Sequence, residues 1–196
     1  MNKINPKLII GLGNPARLNS RSGGPGKEYE NTRHNAGFLF VDALVKQLKA
    51  PEFVCDKKLK AEISRLRQGF GGQAEFKIVL AKPQIFINKS GDAVLALSKF
   101  FKIKPENILV VHDDIDILWS NFKFSFGRSS AGHRGVESII KTLKTKNFWR
   151  LRIGIQPTLK KHVSADKIIL KKFTPAELKI LNQTFKKIIP TLSPFL

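Results

Sequence analysis

The segment that most constrains the fold is an uninterrupted apolar run, Ile108-Leu109-Val110-Val111, followed at once by polar residues 112–116 (HDDID). A strand with one face in water alternates apolar and polar residues, whereas a continuous apolar run is typical of a strand covered on both faces. The run therefore predicts a central strand in a sheet that has helices on both sides.

Other segments predict the elements around this strand. Strands are expected at about 7–12, 60–66, 76–81, 122–126 and 149–155, and helices at about 35–49, 90–101, 135–143 and 175–189. The last helix begins at a capping box, Thr174-Pro175-Ala176-Glu177. Because strands and helices interleave, we predict an α/β fold with a mixed, mostly parallel twisted sheet flanked by helices.

Two stretches interrupt this alternation, residues 17–26 (RLNSRSGGPG) and 64–74 (SRLRQGFGGQA). Both are rich in Gly, Ser and Arg and show no hydrophobic periodicity. Added loop residues cost little closure entropy, so we expect two loop insertions within a single domain that spans residues 1–196.

The charge of the chain is strongly positive, with 35 Lys and Arg against 15 Asp and Glu and a net charge of +20. Self-repulsion of that size favours a polyanionic partner such as nucleic acid, although a merely solvated basic surface would also account for it. Many basic residues lie between 144 and 187, and a surface of this kind would contact phosphates without reading bases, although Lys179 and Lys186 are expected to be only the solvated side of a helix. They are Lys144, Lys146, Arg150, Arg152, Lys160, Lys161, Lys167, Lys171, Lys172, Lys179, Lys186 and Lys187.

Several classes of protein are excluded or disfavoured. Cys55 is the only cysteine, which excludes an intramolecular disulfide and a cysteine metal cluster. There is no signal peptide and no run of about 18 apolar residues, so we expect a cytoplasmic protein without a membrane partner. The stretch Gly11-Leu12-Gly13-Asn14-Pro15-Ala16 mimics a dinucleotide fingerprint, but Pro15 and a long polar loop stand where the helix should begin, so we expect no nucleotide cofactor.

Two polar segments could supply a catalytic base. Residues 32–37 open a helix and carry His34, and residues 112–116 end the apolar strand and carry Asp113. A histidine and an acid at such edges can meet in space, with the carboxylate orienting the imidazole, although His34 alone could equally be a surface cap. His112 alternates with Asp113 along the strand, so we expect it to face the opposite side in a structural role.

Six ordered motifs in this chain resemble bacterial peptidyl-tRNA hydrolases. They are a strand followed by GLGNP, Tyr29-x-x-Thr-Arg-His34-Asn35-Ala-Gly, Pro83-x-x-Phe86-x-Asn88-x-Ser-Gly, HDDID, Ala131-Gly132-His133-x-Gly135 and Phe148-x-Arg-Leu-Arg152-Ile-Gly. Together they cover about residues 7–180 in a consistent order. The resemblance implies one monomeric, metal-free and cofactor-free α/β domain that releases tRNA from peptides by ester hydrolysis.

The resemblance also assigns residue roles. His34 matches the catalytic base, Asp113 the acid that orients it, and Asn14 the residue that helps to distinguish blocked from free aminoacyl groups. The residues that match the family's contacts to the tRNA–peptide junction are Tyr29, Phe86 and Asn88. Arg134 stands where the family has an asparagine. Arginine donates hydrogen bonds but cannot accept them, so the sequence does not decide whether Arg134 makes the substrate contact of that asparagine.

In the mechanism that these residues suggest, neutral His34 takes a proton from water and Asp113 stabilises the imidazolium. A carboxamide, from Asn14 or Asn88, could bind the oxyanion or hold the water. Arg152 is expected among the basic residues that contact the acceptor stem and 3′ end of the tRNA. Two alternatives remain: an RNA-binding homologue without turnover, and a metal-dependent phosphoesterase that binds Mg²⁺ or Mn²⁺ through His112, Asp113, Asp114 and Asp116.

Overall fold

A seven-stranded mixed sheet forms the centre of the computed structural model, which describes residues 5–15, 29–68, 75–157 and 168–192. The strands are β1 (Leu8–Gly11), β2 (Val54–Asp56), β3 (Ala61–Gln68), β4 (Glu75–Pro83), β5 (Ile108–Leu118), β6 (Phe122–Phe126) and β7 (Trp149–Gln156). Their spatial order is β2-β3-β4-β1-β5-β7-β6. The central strands β4, β1, β5 and β7 run parallel, and the outer strands pair antiparallel. The predicted α/β class with a mixed sheet is confirmed.

Helices cover both faces of the sheet, as the apolar run at Ile108 predicted. The helices are α1 (Ala36–Leu48), α2 (Ser90–Phe100), α3 (Arg134–Leu143) and α4 (Pro175–Leu192). Leu109 and Val111 of β5 pack with α1 and α4, whereas Ile108 and Val110 pack with α2 and α3. The four side chains of the run have no exposed surface. Each face of this strand therefore belongs to a separate layer of the core.

Two glycines allow the start of α1 to approach the sheet backbone. A Cβ on Gly37 would lie 2.3 Å from the carbonyl oxygen of Val111, and one on Gly11 would lie 2.3 Å from the carbonyl oxygen of Gly37. Real Cβ atoms do not approach backbone oxygens this closely, so glycine is required at both positions. The contact fixes the turn before α1 next to the middle of β5.

The strand β5 is longer than the sequence predicts. Its pairing with β1 ends at Val111, but pairing with β7 continues to Asp114, and the strand itself ends at Leu118. The HDDID segment is thus inside the strand rather than after it. The reason is that Arg152 of β7 lies beside Asp114 and neutralises it within the sheet (Nε to Oδ2, 2.6 Å). Because β1 ends opposite Val111, no residue of β1 pairs with Asp113. Asp113 therefore lies at the carboxyl ends of the parallel strands, beyond the end of β1.

The capping box of α4 is confirmed. The Thr174 amide donates to a Glu177 carboxylate oxygen at 2.8 Å, and the Glu177 amide donates to the Thr174 hydroxyl at 3.2 Å. Within the described residues, no helix combines the length and the apolar character needed to cross a membrane.

The two expected insertions have different outcomes. Residues 17–26 lie outside the described residues. In the second stretch, residues 64–68 belong to β3, and residues 69–74 lie outside the described residues. Ser64 is buried and its hydroxyl donates to the carbonyl of Pro51, and Leu66 packs on the core. These side chains make the first part of the stretch structural.

We predict that residues 69–74 can be replaced by Asn-Gly without loss of the fold. Gln68 and Glu75 are paired across antiparallel strands, and a two-residue Asn-Gly turn joins such a pair well. A thermal melt should show a change of at most about 2 °C, whereas deletion of 65–73, which removes half of β3, should lower the midpoint by several times that amount. Equal melting temperatures for the two variants would contradict this assignment.

Candidate active site

The predicted pair of His34 and Asp113 is in direct contact. His34 lies in the 3-10 turn Arg33–Asn35 before α1, and its Nδ1 is 2.8 Å from Oδ1 of Asp113 on β5. Both residues are buried, with exposures of 7% and 3%. Because a carboxylate only accepts hydrogen bonds, Nδ1 of His34 carries the proton and Nε2 keeps its lone pair. The pair therefore has the arrangement of a general base with its orienting acid.

A second imidazole, His133, binds the same carboxylate oxygen. Its Nε2 lies 3.1 Å from Oδ1 of Asp113, and the two histidine ring centroids are 5.0 Å apart. His133 caps α3, since the Val136 amide donates to its Nδ1 at 3.2 Å. With Nδ1 accepting, Nε2 of the neutral ring must carry the proton and donate to Asp113. The cap of α3 thus fixes the tautomer of His133.

Sequence reasoning did not assign a role to His133. Its motif, Ala131-Gly132-His133, was used only for the family resemblance. The two residues before it form a tight turn, since Ala131 and Gly132 both have positive φ angles, 49° and 80°. A tight turn of this kind aims the following side chain back towards β5. A histidine after such a turn and before a helix is the signal that could have identified it.

The charges of this cluster shift the pKa values of its members. Burial alone would raise the pKa of Asp113, but the two facing imidazoles outweigh it and hold that pKa far below its ordinary range. Burial lowers the pKa of His34 and the Arg134 charge lowers it further, yet the attraction and hydrogen bond of Asp113 raise it overall. Burial and the neighbouring His133 lower the pKa of His112, which stays neutral. His34 is therefore the member poised to exchange a proton.

The cluster also has the composition of a metal site, since ligand atoms of His34, Asp113 and His133 lie within 4.8 Å of one another. A metal on Nε2 of His133 would need the lone pair of that atom. The Val136 amide already uses the lone pair on Nδ1, and a neutral imidazole has only one. The donor set therefore fits a hydrogen-bonded proton network and not a metal ion.

The alternative metal set at HDDID does not converge. His112 is buried with its Nδ1 2.6 Å from the carbonyl oxygen of Asp113, and its ring packs on His133. The carboxylate of Asp114 is bound by Arg152 and by the amide of Asp116. His112 was expected to face away from Asp113, yet its ring contacts His133, which binds Asp113, so His112 is a buried neighbour of the cluster.

Asn14 is held in one orientation beside the cluster. Its Oδ1 accepts the Ile87 amide at 2.9 Å, so its Nδ2 is the group left to act as a donor. Asn35 holds the backbone of Asn14 from both sides, through its Oδ1 at 2.8 Å and its Nδ2 at 3.0 Å. Asn14 can therefore stabilise an oxyanion through Nδ2, while its Oδ1 keeps one lone pair beyond the bond to Ile87. The role of Asn35 was not foreseen.

A cavity of about 350 Å³ opens above these groups. The predicted site residues that line it are Asn14, Tyr29, His34, Phe86, Asn88, Asp113 and Arg134. Apolar side chains form another part of its wall: Ile87, Ile115, Ile169 and Leu170. Phe86 and Leu170 are exposed large apolar residues, with exposures of 38% and 53%. The cavity can thus bind an apolar group next to a buried base.

The basic residues predicted to contact phosphates have mixed positions. Arg152 does not line the cavity and is paired with Asp114. Arg150 is buried, with a guanidinium that donates to the carbonyl of Ser129 at 2.8 Å, so its assignment to a phosphate-binding surface is wrong. The predicted residues that are exposed in the described part are Lys144, Lys146, Lys171, Lys172, Lys179, Lys186 and Lys187. Lys160, Lys161 and Lys167 lie outside the described residues.

The turn that carries His34 is braced by the segment before α4. The Arg33 amide donates to the carbonyl of Lys171 at 3.0 Å, and the Phe173 amide donates to the carbonyl of Asn31 at 2.8 Å. The Arg33 guanidinium also forms an ion pair with Glu177, the capping residue of α4. The start of α4 therefore fixes the position of the base.

We predict opposite effects of two substitutions on the pKa of His34. Asp113→Asn should lower it below its ordinary value, because burial and the Arg134 charge then act unopposed, and Arg134→Asn should raise it further. NMR titration of the His34 ring, assigned with His34→Ala, measures both shifts. Lys141→Gln, on the exposed side of α3, serves as the control. An unchanged His34 titration in Asp113→Asn would contradict the assignment.

Comparisons with known proteins agree with this geometry. Residues 8–196 match the family described as peptidyl-tRNA hydrolase. A peptidyl-tRNA hydrolase of Aquifex aeolicus is 43% identical over 189 residues, which is 95% of this chain and 88% of that protein. One from Neisseria meningitidis is 46% identical over 149 residues, 76% of this chain and 69% of that protein.

Comparison with solved structures also finds peptidyl-tRNA hydrolases. The crystal structure of peptidyl-tRNA hydrolase from Acinetobacter baumannii superposes with a TM-score of 0.78 at 30% identity, covering 98% of this chain and 89% of that chain. The family match over residues 8–196 includes the strands and turns that carry His34, Asp113 and His133. The chain belongs to the peptidyl-tRNA hydrolase family.

Proposed function

We propose that this protein hydrolyses the ester bond between the peptide and the tRNA of peptidyl-tRNA, with His34 as the general base. The observation that carries the proposal is the buried His34–Asp113 pair at the floor of a cavity, with Nε2 of His34 free to accept a proton. Family membership supports the same reaction. An RNA-binding protein without turnover would have no use for this pair.

In the first step, Nε2 of His34 takes a proton from water while the water oxygen attacks the ester carbonyl carbon. The resulting imidazolium is stabilised by Asp113, which stays ionised because His34 and His133 both donate to it. His34 must be neutral to act, so the rate should rise as the pH rises through its elevated pKa.

The negative charge then develops on the carbonyl oxygen. Nδ2 of Asn14 is the donor we assign to this oxyanion, since Oδ1 of Asn14 is already bound to the Ile87 amide. A single such donor in a well-organised site lowers the barrier by about 3 kcal/mol. Collapse of the intermediate breaks the bond from carbon to the ribose oxygen, which receives the proton from His34. The products are tRNA with a free hydroxyl and a peptide carboxylate.

We assign substrate contacts to the rest of the cavity. Tyr29, Phe86 and Asn88 would bind the tRNA–peptide junction, and the apolar wall at Ile169 and Leu170 would accept peptide side chains. The exposed lysines would contact phosphates of the acceptor stem and 3′ end. We further propose that the protein acts as a cytoplasmic monomer, without a metal or another cofactor.

Loss of the base should abolish turnover but not tRNA binding. His34→Ala and Asp113→Asn should each lower kcat by about 10³-fold or more, because proton transfer and tautomer control are lost. Affinity for deacylated tRNA should change less than about twofold, since neither side chain faces phosphates. Release of labelled peptide from peptidyl-tRNA in EDTA measures the rate, with free aminoacyl-tRNA as the control substrate. A near-normal rate in His34→Ala would contradict the mechanism.

The affinity for tRNA should fall steeply with salt. Each phosphate contact releases about one counterion, so a plot of the logarithm of the association constant against the logarithm of the salt concentration should be linear. Its slope should be negative, with a magnitude of roughly the number of contacts. Substituting both Lys171 and Lys172 with Gln should make this salt dependence less steep. Lys99→Gln should leave it unchanged, because Lys99 is on α2, which packs on the opposite face of the sheet from α4. A flat salt dependence would show that the net charge of +20 serves another purpose.

A further inference from the structure

Arg134 is a cation in the cavity that no carboxylate of the described residues binds directly, although its charge contributes to lowering the pKa of Glu137. Its side chain is exposed and lines the same cavity as His34, and it forms no hydrogen bond or ion pair within the described part of the chain. The acid nearest in sequence, Glu137, is bound by Lys141 at 2.8 Å. Asp113 is held by two imidazoles and Asp114 by Arg152. The exposed Asp116 also lines the cavity but does not pair with Arg134.

The backbone that carries Arg134 is closely packed and capped. Arg134 is the first residue of α3, directly after the capping His133 that binds Asp113. A Cβ on the next residue, Gly135, would lie 2.9 Å from Cγ1 of Ile87, so the start of α3 packs tightly on that side chain. The amide of Ile87 is in turn bound by Asn14. The guanidinium is thus attached to the same framework as the base and the oxyanion donor.

We propose that Arg134 binds the carboxylate of the released peptide. The inference rests on the ester hydrolysis proposed above, because that reaction creates a carboxylate at the carbon attacked next to His34. The planar guanidinium matches a carboxylate with two parallel N–H···O bonds, whereas the uncharged ester of the substrate offers no such partner. Arg134 therefore favours product over substrate, and the enzyme is inhibited by peptides with a free C-terminal carboxylate.

The position of Arg134 favours a carboxylate over a tRNA phosphate. Its charge acts directly on His34, and the reacting carbon must lie beside the water that His34 activates. The phosphates of the tRNA are separated from that carbon by at least the ribose. The apolar side chains Ile115 and Leu170 line the same cavity and suit the side chains of a peptide. A carboxylate next to apolar groups is the C-terminal end of such a peptide.

Isothermal titration of two probes tests the proposal without turnover. The probes are acetyl-Leu-Leu with a free carboxylate and the same dipeptide with a carboxamide. The wild-type protein should bind the acid at least about tenfold more tightly than the amide, as expected for a charge-assisted bidentate contact. Arg134→Asn should bind both within about twofold of each other. Arg134→Lys, which keeps the charge but loses the planar fork, should show an intermediate preference.

Lys141→Gln removes the same charge from the same helix outside the cavity and should keep the full preference for the acid. Equal binding of acid and amide to the wild-type protein, or an undiminished preference in Arg134→Asn, would overturn the proposal. Weaker binding of deacylated tRNA to Arg134→Asn with an unchanged acid preference would also overturn it, by assigning the anion as a phosphate. Failure of the proposed hydrolysis would appear separately, as no release of labelled peptide by the wild-type protein.

Discussion

The carboxylate of Asp113 is the group on which the site depends. It is buried on β5 and accepts hydrogen bonds from His34, in the turn before α1, and from His133, at the cap of α3. A buried carboxylate without partners would cost several kcal/mol. Its two donors therefore bind elements from both faces of the sheet to one point. The bond to His34 fixes its tautomer and leaves its Nε2 free to accept a proton, whereas the Val136 amide fixes the tautomer of His133.

The distance between this carboxylate and the base is set by backbone packing. Gly11 and Gly37 bring the start of α1 within contact of β1 and β5, and any larger residue would push the His34 turn away. A displacement of about 1 Å in a catalytic group can cost about 100-fold in rate. The ion pair of Arg33 with Glu177 braces the same turn from the other side. The precision of the site thus comes from contacts that carry no chemistry themselves.

Arg134 differs from Asp113 and Asp114, which line the same cavity, in having no hydrogen bond or ion pair with another described residue. Asp113 accepts hydrogen bonds from two imidazoles, and Asp114 is paired with Arg152. Arg134 has no such partner in the described structure and faces the space where the reaction takes place. It also stands where the family resemblance places a neutral asparagine. The cavity of this protein consequently carries a cation that can respond to the anion its reaction produces.

The sequence by itself predicted the four helices of the described structure and every strand except β2, and its ordered motifs pointed to His34 and Asp113 as a candidate pair. Hydrophobic periodicity succeeds because it records which face of each segment is buried, and it missed β2 because Val54 and Cys55 are both exposed. Only the tertiary structure decided that β5 continues through Asp114, that Arg150 is buried, and that His133 shares the carboxylate of Asp113. Each of these outcomes depends on a partner distant in sequence: a guanidinium, a carbonyl or a carboxylate that local pattern does not record.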